Sequence, residues 1–318
     1  MGLMSSPAPP AAPSATAAPA TSDARPRQLD MHGRTVIVTG ASSGIGSVTA
    51  RDLHERGAHV IALGRDRERT TAIARELGTD PVIADFASFA DVRRAAAELL
   101  AQCEFIDGLV NNAGALVPTR TITQDGHELT LQANHLSPFL LTTLLLDRLT
   151  QTAQQGRGPV RVITTASIGN QYAKVRRDDL EWSKRRWSGF RAYAHSKLLN
   201  ILFARELAVR GLARGVESYS FHPGNVATGF ASTSRTIGAI YRTAIGRRLF
   251  LIDSEAGAAP MTRLVVDADL PAPTGAYFDR FDVERRVNRQ ADDPELAAWL
   301  WMESARLVAA PRASTDQA

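Results

Sequence analysis

The sequence is almost free of cysteine and contains no long apolar run. Cys103 is the only cysteine in 318 residues, which excludes an intrachain disulfide and a zinc site built from cysteines. So little cysteine is typical of a reducing compartment, and we expect a cytoplasmic protein. No run approaches the roughly 18 apolar residues that span a bilayer, so no membrane span is expected.

An excess of charge of one sign is also lacking. Lys and Arg number 37 against 33 Asp and Glu, which gives a formal net charge of +4. No recognised nucleic-acid-binding motif is present, so nucleic acid is not an expected partner. We interpret the one dense basic stretch as a solvated loop, and its basic residues are Lys174, Arg176, Arg177, Lys184, Arg185 and Arg186.

The two ends of the chain differ in composition from its middle. Residues 1–30 are rich in Ala and Pro and lack the apolar core of a signal peptide, so we expect a disordered tail. Residues 311–318 are expected to be disordered as well. Hydrophobic residues make up 44% and charged residues 22% of the chain, which are ordinary values for a globular protein. We therefore expect one domain over residues 31–310.

Short apolar runs rich in β-branched residues alternate with helical patterns along this domain. The alternation predicts an α/β protein with a single-domain Rossmann fold, a doubly wound parallel sheet of about seven strands flanked by helices. Strands are expected at 34–39, 59–63, 81–84, 106–110, 160–165, 215–221 and 275–278. Helices are expected at 45–56, 66–77, 88–102, 123–151, 255–266 and 294–307, with a further helix that carries Tyr193 and ends near 214. Two stretches near 168–191 and 229–251 read as loops inserted over a substrate site.

A glycine-rich turn, Gly40 to Gly46, separates the first strand from the first helix. The order of strand, glycine turn and helix distinguishes a nucleotide site from a chance cluster of glycines. Glycines allow the backbone to turn tightly and approach a pyrophosphate, whose charge the free N–H groups at a helix start stabilise. The turn therefore predicts a dinucleotide site.

The end of the second strand bears on the choice of dinucleotide. Gly64, Arg65 and Asp66 follow it. An acidic residue at this place binds a ribose 2′-hydroxyl, whereas an arginine suits a 2′-phosphate. Arg65 therefore favours NADP(H) over NAD(H). The alternative is that Arg65 faces solvent and Asp66 binds the ribose.

Tyr193 and Lys197 lie four residues apart in a helical pattern and therefore share one helix face. A free phenol titrates near pH 10, which is too high for acid-base work at neutral pH. A neighbouring ammonium favours the ionised phenol. The pair predicts an acid-base tyrosine whose pKa the lysine lowers.

Further small and polar residues follow the carboxyl ends of predicted strands, where parallel sheets bind ligands. Asn112 and Gly114 follow the fourth strand, and Ser167 follows the fifth. Asn134 lies among apolar residues of a long helix. Because a buried Asn needs partners, Asn134 is either a structural clamp or part of a proton path.

The chain resembles the short-chain dehydrogenase/reductase family in motifs that occur in the family's order. These are TGASSGIG at Thr39 to Gly46, NNAG at Asn111 to Gly114, Asn134, Ser167, Y-x-x-x-K at Tyr193 to Lys197, and Pro223 with Gly224. The sequences YAHSKLLNILFARELA and HPGNVATGF resemble more narrowly its retinol dehydrogenase and WW-domain oxidoreductase branch. The chain has an Ala/Pro tail where many animal retinol dehydrogenases carry a membrane anchor, and nothing in it resembles a WW module.

The resemblance implies an NADP(H)-dependent oxidoreductase that transfers hydride between nicotinamide and a hydrophobic aldehyde, ketone or secondary alcohol. Tyr193 would be the general acid or base, Ser167 would orient the reacting oxygen, and Lys197 would hold the nicotinamide ribose. Asn134 would position a water that leads away from the lysine.

The resemblance also implies a set of cofactor contacts. Asp85 would lie at the adenine, although a helix cap is equally open for it, and Thr228 serves equally well to close a turn. The residues that would bind the cofactor are Gly40, Ser42, Ser43, Gly44, Ile45, Gly46, Arg65, Asp85, Phe86, Asn112, Ala113, Gly114, Tyr193, Lys197, Pro223, Gly224, Val226 and Thr228.

Other functions and assemblies stay open at the level of sequence. A non-catalytic NADP(H)-binding sensor or scaffold is one alternative, and an NAD-dependent alcohol dehydrogenase of the same fold is another. Because the family often assembles, a homodimer or tetramer packed through the helices of Asn134 and Tyr193 is a further expectation.

Overall fold

One β-sheet runs through the protein. The computed structural model describes residues 26–224 and 254–309. Within those ranges the strands are β1 Thr35–Thr39, β2 His59–Gly64, β3 Val82–Ile83, β4 Gly108–Asn111, β5 Val160–Thr165, β6 Val216–His222, β7 Tyr277–Asp279 and β8 Asp282–Val283. Their spatial order is β3-β2-β1-β4-β5-β6-β7-β8, and each neighbouring pair is parallel except β7 with β8.

The predicted doubly wound parallel sheet is confirmed. Chain order reverses between β1 and β4, which leaves a crevice above the carboxyl ends of these two strands. The sequence analysis missed β8, because a strand of two exposed residues carries no apolar pattern. This strand is antiparallel and forms the sheet edge beyond β7.

Helices connect the strands and cover the sheet. Their bounds are α1 Gly44–Glu55, α2 Arg67–Glu76, α3 Phe89–Gln102, α4 Leu129–Leu131, α5 Ser137–Gln154, α6 Gly189–Leu212, α7 Ser254–Val266 and α8 Pro294–Ala309. A π-helical turn, Gln132–Leu136, joins α4 to α5, and two 3₁₀ helices span Ile168–Tyr172 and Arg289–Asp292. None of the helices in the described ranges is both long and apolar enough to cross a membrane.

The long helix expected over 123–151 begins later than predicted. Residues before Leu129 form a turn that contains Gly126 at a φ of 87° and a bridge between Ile122 and Glu128. The Glu128 carboxylate caps the helix by accepting a hydrogen bond from the N–H of Leu131 at 2.8 Å. A buried glutamate at the N-cap therefore sets the start of this helix.

Alternate residues of each central strand face two separate cores. Ile37 and Leu109 lie in the core under α3, α5, α6 and α8, whereas Val38 and Val110 lie in the core under α1 and α7. Burial on both faces explains why the strands read as continuous apolar runs. Helices thus pack on both faces of the sheet, and the carboxyl ends of its strands are rigidly held.

Helix α8 packs across α5 and α6. The Trp301 ring lies 5.0 Å from the ring of Phe139 and 5.9 Å from that of Phe203, measured between centroids. Trp301 therefore packs the last helix against the rest of the domain. This packing also means that the shared face of α5 and α6, where we expected a second subunit, is covered at this point by the chain's own last helix.

Candidate active site

The glycine-rich turn lies at the crevice between β1 and β4. Gly40 and Gly44 have φ angles of 68° and 59°, which favour glycine. A Cβ at Gly46 would clash with the Gly40 carbonyl oxygen and lie 2.5 Å from Asn112 Nδ2. Ser43 is the N-cap residue of α1, but its side chain makes no capping hydrogen bond. The first N–H groups of α1 therefore suit an anionic group of a ligand.

Thr39 joins the two strand ends at this crevice, and the sequence analysis did not single it out. Its hydroxyl accepts hydrogen bonds from the N–H groups of Asn112 and Ala113, each at 3.0 Å, and donates one to the Val110 carbonyl at 3.2 Å. The Asn112 amide also donates to the Thr39 carbonyl at 3.0 Å. A hydroxyl on the last residue of a buried strand was the signal that could have identified this clamp.

Arg65 and Asp66 have different surroundings at the end of β2. Asp66 caps α2 by accepting a hydrogen bond from the N–H of Arg69 at 3.0 Å, and it forms an ion pair with the Arg69 side chain at 3.5 Å. Arg65 is exposed next to it. A Cβ at Gly64 would lie 2.5 Å from the Thr70 hydroxyl, so this strand end packs too closely for a larger residue.

Asp85 and Phe86 follow β3. The Asp85 carboxylate accepts a hydrogen bond from the N–H of Ala87 at 2.9 Å, and its side chain is exposed. Ser88 caps α3 through the N–H of Asp91, so the alternative of Asp85 as the helix cap is wrong. The Phe86 side chain packs in the core.

Helix α6 carries the tyrosine and the lysine under the end of β5. The Tyr193 side chain is half-buried and hydrogen-bonds with that of Ser167. Lys197 is buried, and its ammonium donates a hydrogen bond to the Thr165 carbonyl at 2.9 Å. This ammonium also lies over the Tyr193 ring, 5.5 Å from its centroid. The structure thus brings Ser167, Tyr193 and Lys197 together at one strand end.

Burial sets the protonation of this pair. It raises the pKa of Tyr193 from its usual 10.0 to about 12, and the hydrogen bond with Ser167 only partly offsets this rise. Burial likewise lowers the pKa of Lys197 to about 8. The expected lowering of the tyrosine pKa by the lysine is therefore wrong for this structure, because desolvation of the phenol has the largest effect on its pKa.

Asn134 lies in the π-helical turn and holds two neighbouring segments together. Its oxygen accepts from the Ala115 N–H at 2.8 Å, and its nitrogen donates to the Ala115 carbonyl at 2.9 Å and to the Ser196 hydroxyl at 3.1 Å. A Cβ at Gly114 would lie 3.2 Å from the Asn134 oxygen and 3.4 Å from the Lys197 nitrogen. The clamp role is thus present, and the proton path stays a prediction.

The stretch after Ser167 is anchored on α6 rather than fully solvated. Asp179 is buried and accepts hydrogen bonds from the N–H groups of Ser183 and Lys184. It also pairs with Arg185 at 3.2 Å, and the Arg185 guanidinium lies 3.6 Å from the Trp182 ring centroid. The solvated interpretation is therefore wrong for Arg185. The other predicted members, Lys174, Arg176, Arg177, Lys184 and Arg186, are exposed.

Trp182 in this stretch contacts α6 between Tyr193 and Lys197. Trp182 packs edge-on against His195 with ring centroids 5.7 Å apart. Its backbone φ of 56° is unusual for a bulky residue, which indicates that surrounding contacts hold it there. Burial lowers the pKa of His195 to about 3, so this imidazole is neutral at physiological pH.

The last predicted contacts follow β6. Pro223 is buried, and Gly224 has a φ of 95°. Val226, Thr228 and the stretch 229–251 lie outside the described residues.

Comparison with known proteins decides the family. The family described as short chain dehydrogenase matches residues 34–237. The chain belongs to this family. Retinol dehydrogenase 13 of Homo sapiens is 36% identical over 298 residues, which cover 91% of the chain and 88% of that protein. The family assignment makes the chain an oxidoreductase of the retinol dehydrogenase branch that uses a nicotinamide cofactor, NAD(P)(H).

Solved structures agree with this assignment. An uncharacterized protein from Mycobacterium paratuberculosis superposes with a TM-score of 0.69 at 32% identity, covering 88% of this chain and 95% of that one. An RhlG/NADP complex from Pseudomonas aeruginosa gives a TM-score of 0.62 at 26% identity, with 79% and 95% covered.

The buried ammonium leads to a prediction about stability. Lys197→Met is expected to raise the free energy of unfolding at pH 7 by about 2 kcal/mol. The lowered pKa costs the folded state about 3 kcal/mol, and the lost hydrogen bond to Thr165 offsets about 1 kcal/mol. Urea denaturation measures the difference, with Lys174→Met as the exposed control.

The sign of this effect depends on pH. Folding depresses the lysine pKa, so the full cost is present below about pH 8 and disappears as pH rises through the unfolded value of 10.5. A Lys197→Met protein no more stable than the parent at pH 7 would contradict the prediction.

Proposed function

We propose that this oxidoreductase uses NADP(H) to reduce hydrophobic aldehydes or ketones, or to oxidise the matching alcohols, with Tyr193 as the general acid or base. The observation that carries the proposal is the convergence of Tyr193, Ser167 and Lys197 at the end of β5. The three side chains come from α6 and the loop after β5, so a rigid strand end fixes their mutual positions.

The protonation states suit carbonyl reduction. Because the pKa of Tyr193 is about 12, the phenol is protonated at neutral pH and can give its proton to a carbonyl oxygen. Ser167 orients the same oxygen by hydrogen bonding. The Lys197 ammonium stabilises the phenolate left after proton transfer. The bound nicotinamide supplies or accepts the hydride.

The residues of the crevice fit a phosphorylated dinucleotide. The close approach of Gly46 to the Gly40 carbonyl leaves no side chain between α1 and a pyrophosphate. Asp66 is engaged as a helix cap and in an ion pair, which disfavours the alternative that it binds the ribose. Arg65 is exposed and suits a 2′-phosphate. The related RhlG was solved with NADP, which also supports this choice.

Two exposed aromatic rings support a hydrophobic substrate. Tyr172 and Phe190 are 72% and 44% exposed, with ring centroids 6.2 Å apart. Tyr172 ends the 3₁₀ helix that Ser167 caps, and Phe190 lies one helical turn before Tyr193. Exposed apolar side chains beside a site are typical of ligand contact. The related human protein is named for retinol, an apolar alcohol.

The proposal is tested by turnover. Purified protein is mixed with NADPH and a panel of aldehydes and ketones that includes retinal, and the loss of nicotinamide absorbance is followed. We expect turnover that is fastest with apolar substrates. Tight NADPH binding without turnover in either direction would favour the sensor instead, and turnover with NADH alone would favour the NAD-dependent dehydrogenase.

Cofactor choice has its own prediction. Arg65→Ala is expected to weaken NADPH binding by about 10- to 100-fold, which corresponds to the loss of one charged hydrogen bond, and to leave NADH binding unchanged. Titration followed by tryptophan fluorescence measures both. Arg67→Ala, another exposed arginine at the start of α2, is the matched control. Equal loss for the two cofactors would contradict the phosphate contact.

A further inference from the structure

A chain of buried polar groups leads from α8 to the carbonyl that binds Lys197. The Thr165 carbonyl oxygen accepts two hydrogen bonds, one from the Lys197 ammonium at 2.9 Å and one from the Asn200 amide at 3.1 Å. Asn200 lies one helical turn beyond Lys197 on α6 and is also buried. The direction of this carbonyl therefore depends on Asn200 as well as on the strand.

His135 holds the other end of the Asn200 amide. Its Nδ1 lies 3.4 Å from the Asn200 oxygen, and its Nε2 lies 2.9 Å from the Ser304 hydroxyl of α8. All three side chains are buried. Burial lowers the pKa of His135 to about 4, so at neutral pH the ring carries one N–H and one acceptor nitrogen.

Only one direction of hydrogen bonding satisfies every group in this series. The Thr165 carbonyl can only accept, so the Asn200 nitrogen faces it and the Asn200 oxygen faces His135. Nδ1 of His135 must then carry the proton and donate. Nε2 is left as the acceptor, and Ser304 donates to it. The hydrogen bonds from Ser304 to the Thr165 carbonyl thus depend on the proton at Nδ1 of His135.

His135 lies next to Asn134 in the π-helical turn between α4 and α5. Such turns insert an extra residue into a helix and often occur at functional sites. Here consecutive residues both reach α6: Asn134 contacts Ser196, and His135 contacts Asn200. Both residues therefore contact α6 within one helical turn of Lys197.

We propose that His135 is a positioning residue for Lys197. By donating to Asn200 it fixes the Thr165 carbonyl, and this carbonyl fixes the ammonium that would hold the nicotinamide ribose. Helix α8 takes part through Ser304, which sets the tautomer of the ring. The inference rests on the proposed function for its effect on turnover.

Two variants of His135 separate positioning from packing. In His135→Asn the side-chain amide lies near the position of Nδ1 and can still donate to Asn200. In His135→Gln the amide lies near the position of Nε2 and keeps only the contact with Ser304. Each variant breaks one of the two hydrogen bonds, so we expect similar losses of thermal stability.

Binding and turnover should nevertheless differ between the two. His135→Gln is expected to weaken NADPH binding by about tenfold and to lower kcat/KM by up to about 100-fold, since small misplacements of a catalytic group have effects of this size. His135→Asn should stay within about threefold of the parent in both. Fluorescence titration with NADPH and initial rates with a panel substrate measure these changes.

Each other outcome would overturn the proposal. Equal losses in both variants, or losses that follow the melting temperature, would assign His135 to packing alone. Unchanged binding and turnover in His135→Gln would show that the link does not act on Lys197. NADPH binding requires no turnover, so this comparison holds even if Tyr193→Phe stays active and the proposed function fails.

Discussion

Replacing Tyr193 by phenylalanine is expected to lower kcat/KM for carbonyl reduction by about 100- to 10,000-fold, the range over which positioned acids and bases act. The change removes the proton donor and leaves Ser167 to bind the reacting oxygen alone. NADPH binding and folding should persist, because the ring keeps its packing on α6. Initial rates with the best substrate of the panel measure the loss.

Tyr219→Phe is the matched control for this experiment. It removes a phenol from β6 whose hydroxyl donates at 3.3 Å to Glu217, a residue outside the proposed site. We expect its kcat/KM to stay within about twofold of the parent. If the Tyr193 variant behaved like this control while still binding NADPH, the proton would have to come from another group, and the mechanism proposed above would be wrong.

The positions of the site residues follow largely from the strand pattern. The run at 160–165 coincides with β5 at both ends, and this places Ser167 just beyond the strand end. The four-residue spacing of Tyr193 and Lys197 places both on one face of α6. Local sequence is sufficient here because parallel strands that are buried on both faces read as nearly continuous apolar runs.

Contacts between distant segments could not be predicted in this way. Arg185 lies in a basic stretch that reads as solvated, yet the buried Asp179 pairs with it and Trp182 covers it. The link between His135 and Ser304 joins residues 169 positions apart in the chain. Such pairings depend on how α8 and the stretch after Ser167 fold back onto α6, which no short pattern records.

The protonation of the site could not be predicted for a similar reason. The sequence places a lysine next to a tyrosine, and this pairing by itself predicts a lowered phenol pKa. In the structure Lys197 is buried and Tyr193 is half-buried, and desolvation acts on them in opposite directions, raising the pKa of Tyr193 and lowering that of Lys197. The size of the desolvation effect depends on how much protein surrounds each group. This is a property of the whole fold and cannot be derived from the spacing of the two residues on one helix.

Three buried histidines should make the protein markedly unstable in mild acid. Burial lowers the pKa of His135 and His222 to about 4 and that of His195 to about 3. Each is expected to reduce the free energy of unfolding by about 2 kcal/mol between pH 8 and pH 5. Three such losses are comparable with the whole stability of a typical domain, about 5–15 kcal/mol.

The sign follows from where the protons bind. Below pH 6.5 the unfolded histidines take up protons that the folded protein cannot accept until the pH falls to about 4. The three histidines therefore cost no stability well above pH 6.5, and the free energy of unfolding falls steadily as the pH decreases from 6.5 to about 4. Urea denaturation at half-unit intervals between pH 8 and pH 5 measures the slope, and this range stays above the pKa values of most carboxylates.

Two histidine variants show whether burial causes the slope. His195→Leu removes an imidazole whose Nε2 has no hydrogen-bond partner among the described residues, and it should reduce the slope by about one third. His59→Gln replaces an exposed histidine at the start of β2 and should leave the slope unchanged. If the parent were as stable at pH 5 as at pH 8, the folded protein would have to admit protons to these rings. Water would then reach His195 on the helix that carries Tyr193 and Lys197, and the desolvation that shifts the pKa of both groups would be smaller.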